Sequence, residues 1–161
     1  MAKLNTEGIT FDFPSASELF KFDQQDKSSS NYHTLNSEMK AVDVIAELPD
    51  KDIYIEIKDF QNKLTGELTS PNLEHLLYNL KYKYRDSFLY RFGQGKVSKP
   101  IIYICLMEHL DRHLLMQLHK RLSKNIPASI INGWTKEILN DVIVIDKSNW
   151  NRSLSKLGTI S

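Results

Sequence analysis

Two acidic residues and one lysine lie in the part of the sequence that most resembles a pair of β-strands. Asp43 lies in an apolar run, and Glu56 and Lys58 lie in the segment Asp52 to Phe60, where isoleucines alternate with other residues. Carboxylate oxygens are hard ligands of the kind that Mg²⁺ prefers, and an ammonium can offset negative charge on a phosphate. These residue types therefore indicate metal-assisted chemistry on a phosphate ester.

The spacing of these residues places the two carboxylates together. The strand-like segments flank Leu48 to Lys51, which has the composition of a turn. If the hairpin closes on this four-residue loop, Glu47 faces Asp52, and the two residue numbers of every opposed pair sum to 99. Asp43 then faces Glu56. Opposed side chains have Cβ atoms about 4.5–5.5 Å apart, and two carboxylates at that distance repel unless a cation or a proton intervenes. This register predicts a cation site.

Strand alternation separates the polar from the apolar residues. Glu56 and Lys58 share one face of the second strand with Tyr54, while the isoleucines at 53, 55 and 57 occupy the other face. Two carboxylates and a lysine on one half-buried face are costly to desolvate unless they are paired or bind a ligand. A divalent cation such as Mg²⁺ supplies a reason for them to be there.

These residues resemble the signature of the PD-(D/E)XK nuclease superfamily, which has an Asp on one strand and Glu-x-Lys on the next. Asp43, Glu56 and Lys58 match the three positions. The resemblance implies an α/β domain of restriction-endonuclease-like architecture, with a central mixed sheet and flanking helices. It also implies metal-dependent hydrolysis of DNA: Asp43, Glu56 and the backbone carbonyl of Ile57 would bind Mg²⁺ or Mn²⁺, and Lys58 would position the attacking water.

Glu18 has two interpretations. Ser15 followed by Glu18 fits a capping box, which predicts a helix from Ser15 to Phe22 before the hairpin. The capping role explains Glu18 fully, but some members of the resembled family add an acidic residue from this helix to the metal site. The first strand of the family's three-stranded meander is assigned either to Asn31–Leu35 or to Phe11–Phe13.

The remaining elements follow from apolar periodicity. Strands are predicted for residues 41–48, 52–60, 100–107 and 141–146, and helices for residues 73–92, 109–122 and 129–139. Residues 1–10 are polar and aperiodic and are expected to form a loose arm or an edge segment. With 161 residues, the chain is interpreted as a single domain over 1–161.

The second half of the chain carries a candidate nucleic-acid surface. Residues 1–78 have a net charge of −7 and residues 79–161 a net charge of +8. Within the basic half, Lys81, Lys83 and Arg85 are candidate phosphate contacts, and exposed aromatics nearby are candidates for stacking on unpaired bases. Tyr84 and Phe88, on the same helix, are expected to pack in the core instead.

Two interpretations in which the chain is not an enzyme stay open. The chain is then either an inactive module of the same fold, which binds nucleic acid or a protein partner in a defence, repair or mobile-element system, or a structural domain with a surface ion pair between Glu56 and Lys58. For an active enzyme, DNA is the expected partner. Sequence-specific recognition would require a homodimer or a partner subunit, because little chain is left beyond the core.

Composition excludes several other classes. Hydrophobic residues make up 41% of the chain and charged residues 25%, as in a folded globular protein and unlike a disordered or collagen-like chain. No apolar run approaches the roughly 20 residues of a membrane helix, and no leader for export is expected. Cys105 is the single cysteine, which excludes an internal disulfide and favours the cytoplasm.

Overall fold

The computed structural model of the chain describes residues 2–33, 38–61 and 70–161. Within these ranges the chain forms eight β-strands and three α-helices. The strands are β1 (Ala2–Thr6), β2 (Ile9–Phe13), β3 (Glu18–Lys21), β4 (Val44–Glu47), β5 (Asp52–Asp59), β6 (Ile101–Glu108), β7 (Asp141–Ile145) and β8 (Thr159–Ile160), and the helices are α1 (Ser70–Gly93), α2 (Arg112–Asn125) and α3 (Lys147–Ser153).

Five strands form a mixed sheet in the order β3-β4-β5-β6-β7. The pairs β3·β4 and β4·β5 are antiparallel, whereas β5·β6 and β6·β7 are parallel. α1 lies between β5 and β6 in the chain and α2 lies between β6 and β7, as crossover connections between parallel neighbours require. The predicted α/β class with a mixed sheet and flanking helices is confirmed. None of the helices in the described ranges combines the length and the apolar character that crossing a membrane requires.

The hairpin of β4 and β5 has the predicted register. Val44 pairs with Ile55 and Glu47 pairs with Asp52, so opposed residues add up to 99 along the whole ladder. The turn closes through a hydrogen bond of 2.9 Å from the amide of Leu48 to the carbonyl of Lys51. β4 is shorter than predicted, because the ladder starts only at Val44.

The five-stranded sheet has a hydrophobic core on each face. Tyr54 points to the face covered by α1 and α2, where it is fully buried among residues of those helices. Ile53 and Ile55 point to the opposite face, where they pack against β2, β8 and α3. The polar face of β5 was expected to be half-buried, but α1 covers it. Glu56 consequently lies in a buried environment.

A second, three-stranded antiparallel sheet has the order β1-β2-β8 and supplies the second core. Trp150 on α3 is fully buried there, with its ring centroid 6.2 Å from those of Phe11 and of Phe13. Its indole N–H donates a 3.0 Å hydrogen bond to the carbonyl of Gly158. Of the two predictions for residues 1–10, a loose arm or an edge segment, the structure agrees with the second, because β1 is an edge strand of this sheet.

The helix predicted for residues 15–22 is wrong, because this segment contains β3. Glu18 pairs with Glu47 and Lys21 pairs with Val44, which makes β3 the first strand of the meander. The capping pattern and the spacing of Ala16, Leu19 and Phe22 at intervals of three both fit a helix, but pairing with β4 decided the outcome. Neither assignment of the first meander strand holds. Phe11–Phe13 belongs to the smaller sheet, residues 31–33 form no strand, and residues 34–35 lie outside the described residues.

The helix predicted for residues 129–139 is also wrong, since these residues form turns and bends. Gly133 has a φ of +88°, in the left-handed region, which breaks any helical run through it. α2 begins later than predicted. Asp111 is its N-cap, with a side-chain oxygen that accepts a 2.9 Å hydrogen bond from the amide of Leu114.

Candidate active site

The hairpin brings Asp43 beside Glu56. Asp43 immediately precedes β4, and its Oδ2 accepts a 2.6 Å hydrogen bond from the amide of Ile57 on β5. Its own carbonyl accepts a 2.8 Å hydrogen bond from the amide of Phe22. Asp43 is therefore held from both neighbouring strand segments, directly across from the start of the Glu-x-Lys sequence.

Glu56 is a buried carboxylate with an ammonium on each side. Its side chain has no exposed surface, and Lys58 Nζ lies 3.0 Å from Oε1 while Lys83 Nζ lies 2.8 Å from Oε2. Each carboxylate oxygen of Glu56 is therefore paired with one ammonium group. Burial raises the pKa of Glu56 to about 7, and the negative charge of Asp43 adds to the rise, while Lys83 and Lys58 oppose it.

Lys83 reaches this site from α1. Its ammonium lies 3.6 Å from Asp43 Oδ1, and the side chain is 16% exposed. Burial lowers the pKa of Lys83, but Glu56 and Asp43 outweigh burial, so the pKa is raised and the lysine stays charged. We call the four side chains of Asp43, Glu56, Lys58 and Lys83 the carboxylate–lysine cluster.

Two contacts from α1 fix the chain just before Asp43. The amide of Val42 donates a 3.0 Å hydrogen bond to Ser87 Oγ, and the amide of Lys40 donates a 2.8 Å hydrogen bond to Asp86 Oδ2. Because Lys83 lies one turn before Ser87 on the same helix, these bonds also set its position relative to Asp43. The cluster is thus assembled from three elements: the segment before β4, β5 and α1.

Solvent reaches the cluster through Lys58. The Lys58 side chain is 39% exposed, whereas those of Asp43 and Glu56 are 14% and 0% exposed. A ligand that approaches from solvent therefore meets Lys58 first and the carboxylates beneath it. An exposed lysine beside two less exposed carboxylates suits a phosphate held near a cation.

The donor set fits one divalent cation of the Mg²⁺ type. Mg²⁺ is usually bound by one or two carboxylates, with water and substrate phosphate as the other ligands. Asp43 and Glu56 supply two carboxylates, and a cation bound between them would replace the ammonium groups of Lys58 and Lys83 that pair with these carboxylates. In the described part of the chain, no group of three or more His, Cys, Asp or Glu residues comes together as a metal site. The backbone amide of Ile57 donates its hydrogen bond to Asp43. The role of the Ile57 carbonyl as a metal ligand stays a prediction.

Glu18 does not join this cluster. It lies on β3 opposite Glu47, at the far end of β4 from Asp43, and its side chain is 54% exposed. Its nearest cation is Lys96, whose Nζ lies 3.9 Å from Oε2. The structure therefore gives Glu18 neither the metal-site position nor the helix cap that the sequence indicated.

The three candidate phosphate contacts divide into two groups. Lys83 belongs to the carboxylate–lysine cluster, whereas Lys81 and Arg85 lie beside the Tyr82 ring, with their charged groups 5.3 Å and 4.9 Å from its centroid. Tyr84 is fully buried, as predicted. Sequence reasoning placed Lys83 among the nucleic-acid contacts and missed its ion pairs with the carboxylates.

Comparison of the chain with protein-family models, with curated proteins and with solved structures found no match. A function must therefore be inferred from the residues of this chain and their geometry.

Proposed function

We propose that this chain is a metal-dependent nuclease that hydrolyses phosphodiester bonds of DNA. The observation that carries the proposal is the pair of carboxylates, Asp43 and Glu56, held side by side on a hairpin with Lys58 at the solvent opening. Burial and the neighbouring charge of Asp43 both disfavour the ionised form of Glu56 and raise its pKa, and a bound cation would offset both effects.

The fold supports the proposal at the level of element order. An antiparallel meander, β3-β4-β5, carries the acidic residues, and α1 and the parallel strand β6 follow it. This order resembles the restriction-endonuclease-like core, and we propose that architecture for the chain. The differences are that β3 stands where a helix was expected and that a small sheet with α3 covers the second face of the main sheet.

Each residue of the site has a task in this reaction. Asp43 and Glu56 would hold Mg²⁺ or Mn²⁺, which supplies a Lewis acid for the phosphate and lowers the pKa of an attacking water. Lys58 orients that water and offsets negative charge that develops on the phosphate, a contribution typically worth a few kcal/mol of barrier. Lys81, which is partly exposed, and Arg85, which is exposed, attract the phosphate backbone from α1.

A second function is favoured by Lys83. With Lys58 and Lys83 at 3.0 Å and 2.8 Å from Glu56, the two positive charges balance the two carboxylates without a metal ion. Such a balanced cluster suits a catalytically inactive module of the same fold that binds nucleic acid or a protein partner. The two functions differ in one measurable property, the affinity of the cluster for a divalent cation.

The deciding experiment measures cleavage of supercoiled plasmid and of single-stranded DNA with Mg²⁺ or Mn²⁺. Wild type is compared with Lys58→Ala and with Lys120→Ala, which removes an exposed lysine of α2 outside the cluster. We expect wild type and Lys120→Ala to cut, Lys58→Ala to lose at least a hundredfold in rate, and EDTA to stop the reaction. Equal cleavage by all three proteins would assign the activity to a contaminant and refute the proposal.

Calorimetric titration with Mn²⁺ separates the two functions. An active site predicts binding that Asp43→Asn abolishes. Mn²⁺ binding without cleavage would mean that the site is built but the substrate or partner is lacking from the assay. No binding by wild type would favour the inactive module.

The cellular location of the chain and its partners are part of the same proposal. We propose the cytoplasm, because Cys105, the single cysteine, is a free thiol in the buried part of β6 and no disulfide stabilises the fold. DNA is the proposed partner. A homodimer or a partner subunit would supply sequence-specific recognition, if the enzyme has any.

A further inference from the structure

Two tyrosines lie in contact on the exposed side of α1. Tyr78 and Tyr82 are one helical turn apart, with ring centroids 4.3 Å from each other, and Tyr78 is 50% exposed. Three cations surround the pair: Lys40 lies 5.8 Å from the Tyr78 ring, and Lys81 and Arg85 lie beside the Tyr82 ring. We call these five residues the tyrosine platform.

The tyrosine platform and the carboxylate–lysine cluster share two segments of the chain. Tyr82 is adjacent in sequence to Lys83 on α1, and Lys40 is three residues before Asp43. The Lys40 ammonium also contacts the side-chain oxygen of Asn79, which ties the segment before β4 to the helix beside Tyr78. Residues of the platform and of the cluster are therefore carried by the same two segments, α1 and the chain before β4.

The chemistry of the platform selects one kind of ligand. Aromatic faces stack on bases of any sequence, and surrounding cations pair with the phosphates that connect those bases. A duplex offers its phosphates to such a surface but keeps its bases stacked inside, where Tyr78 and Tyr82 cannot reach them. A packing role does not explain the exposure of Tyr78, because the core residues of α1, such as Leu80 and Tyr84, are fully buried.

We propose that the tyrosine platform binds a single-stranded segment of DNA by stacking unpaired bases on Tyr78 and Tyr82, on the helix that also carries Lys83 of the cluster. The inference rests on the proposed nuclease function and names its substrate class: single strands, or duplexes with an unpaired end or flap. Lys40, Lys81 and Arg85 pair with the phosphates of that segment. Recognition is by stacking, so it does not depend on base sequence.

The test measures binding in EDTA, where no cleavage can occur. Fluorescence anisotropy of end-labelled dT15 and of a labelled 15-base-pair duplex gives the two affinities for the full chain. We expect Tyr78→Leu/Tyr82→Leu to weaken binding of dT15 at least tenfold and binding of duplex by less than twofold, because each stacked base contributes about tenfold. Phe92→Leu, which removes an exposed aromatic of α1 outside the platform, should change neither affinity.

Two further results decide the interpretation. Tyr78→Phe/Tyr82→Phe keeps the aromatic faces and should retain wild-type affinity for dT15, whereas a loss would mean that the hydroxyl groups, not stacking, carry the contact. An equal loss for single strand and duplex, or no loss at all, with variants that fold as judged by circular dichroism, overturns the inference. Preference for dT15 with neither Mn²⁺ binding nor metal-dependent cleavage would refute only the nuclease function, and cleavage without that preference would refute only the platform.

Discussion

Replacing Glu56 by glutamine removes a titrating group from the middle of the protein and keeps its shape. Glu56 is fully buried, and burial raises its pKa from the usual 4.5 to about 7, with a further rise caused by Asp43. In the unfolded chain the same carboxyl titrates near the usual value. Folded protein therefore binds more protons than unfolded protein between pH 4.5 and pH 7, and the free energy of unfolding must depend on pH in that range.

The sign and size of the effect follow from the two pKa values. Because the folded state holds the extra proton, stability is highest below the unfolded pKa and falls as the pH rises toward 7. A shift of one pKa unit corresponds to about 1.4 kcal/mol, so the shift of Glu56 corresponds to a loss of about 3 kcal/mol by pH 8. In Glu56→Gln this loss is absent, since the amide does not ionise.

Urea denaturation in EDTA at half-unit steps from pH 5 to pH 8 measures the effect. We expect the stability of Glu56→Gln relative to wild type to increase by about 2.5 kcal/mol across this range, because part of the loss in wild type has already occurred at pH 5. Glu47→Gln is the matched control on β4. Burial raises the pKa of Glu47, but Arg91, Lys96 and Lys99 outweigh burial and lower it, so its stabilising charge is lost only in acid. Parallel curves for wild type and Glu56→Gln between pH 5 and pH 8 would refute the reasoning.

Three further predictions concern packing, capping and metal binding. Gly158→Ala would place a Cβ 2.6 Å from Phe13 Cγ, and we expect a loss of about 1–3 kcal/mol in urea denaturation. Asp111→Ala removes the N-cap of α2 and should cost about 1 kcal/mol, with wild-type stability contradicting the cap. Mn²⁺ at 100 times its Kd should stabilise wild type by about 2.7 kcal/mol and leave Asp43→Asn unchanged, as thermal melts would report.

The hairpin could be predicted from the sequence because its signals are local. A four-residue turn fixes which residues oppose each other, and alternation in β5 fixes which face each side chain occupies. Together they placed Asp43 beside Glu56 before any tertiary contact was known, and the register of β4 and β5 is as predicted. The burial of Glu56 could not be predicted in the same way, since it depends on α1 crossing the polar face.

The segment around Glu18 shows where local signals fail. Ser15 and Glu18 match a capping box, but β3 forms because β4 offers an unpaired edge, and that edge becomes available only through the fold of the hairpin. Four residues of strand leave a weak pattern in the sequence, whereas a capping box is easily matched by chance. The metal role implied for Glu18 depended on the helix, so both interpretations failed for the same reason.

The side of α1 on which Lys83 lies could, in contrast, be predicted from helical geometry. At 3.6 residues per turn, Lys81 and Arg85 lie about 40° apart around α1, while Lys83 lies about 160° from both, so the three lysine and arginine side chains cannot share one surface. Lys83 instead follows Leu80 by three residues and precedes Ser87 by four, and both of those are buried. A lysine on the buried face of a helix needs a carboxylate partner. The helix packs against the sheet face that carries Glu56, so the pairing of Lys83 with Glu56 follows once helical phase is considered.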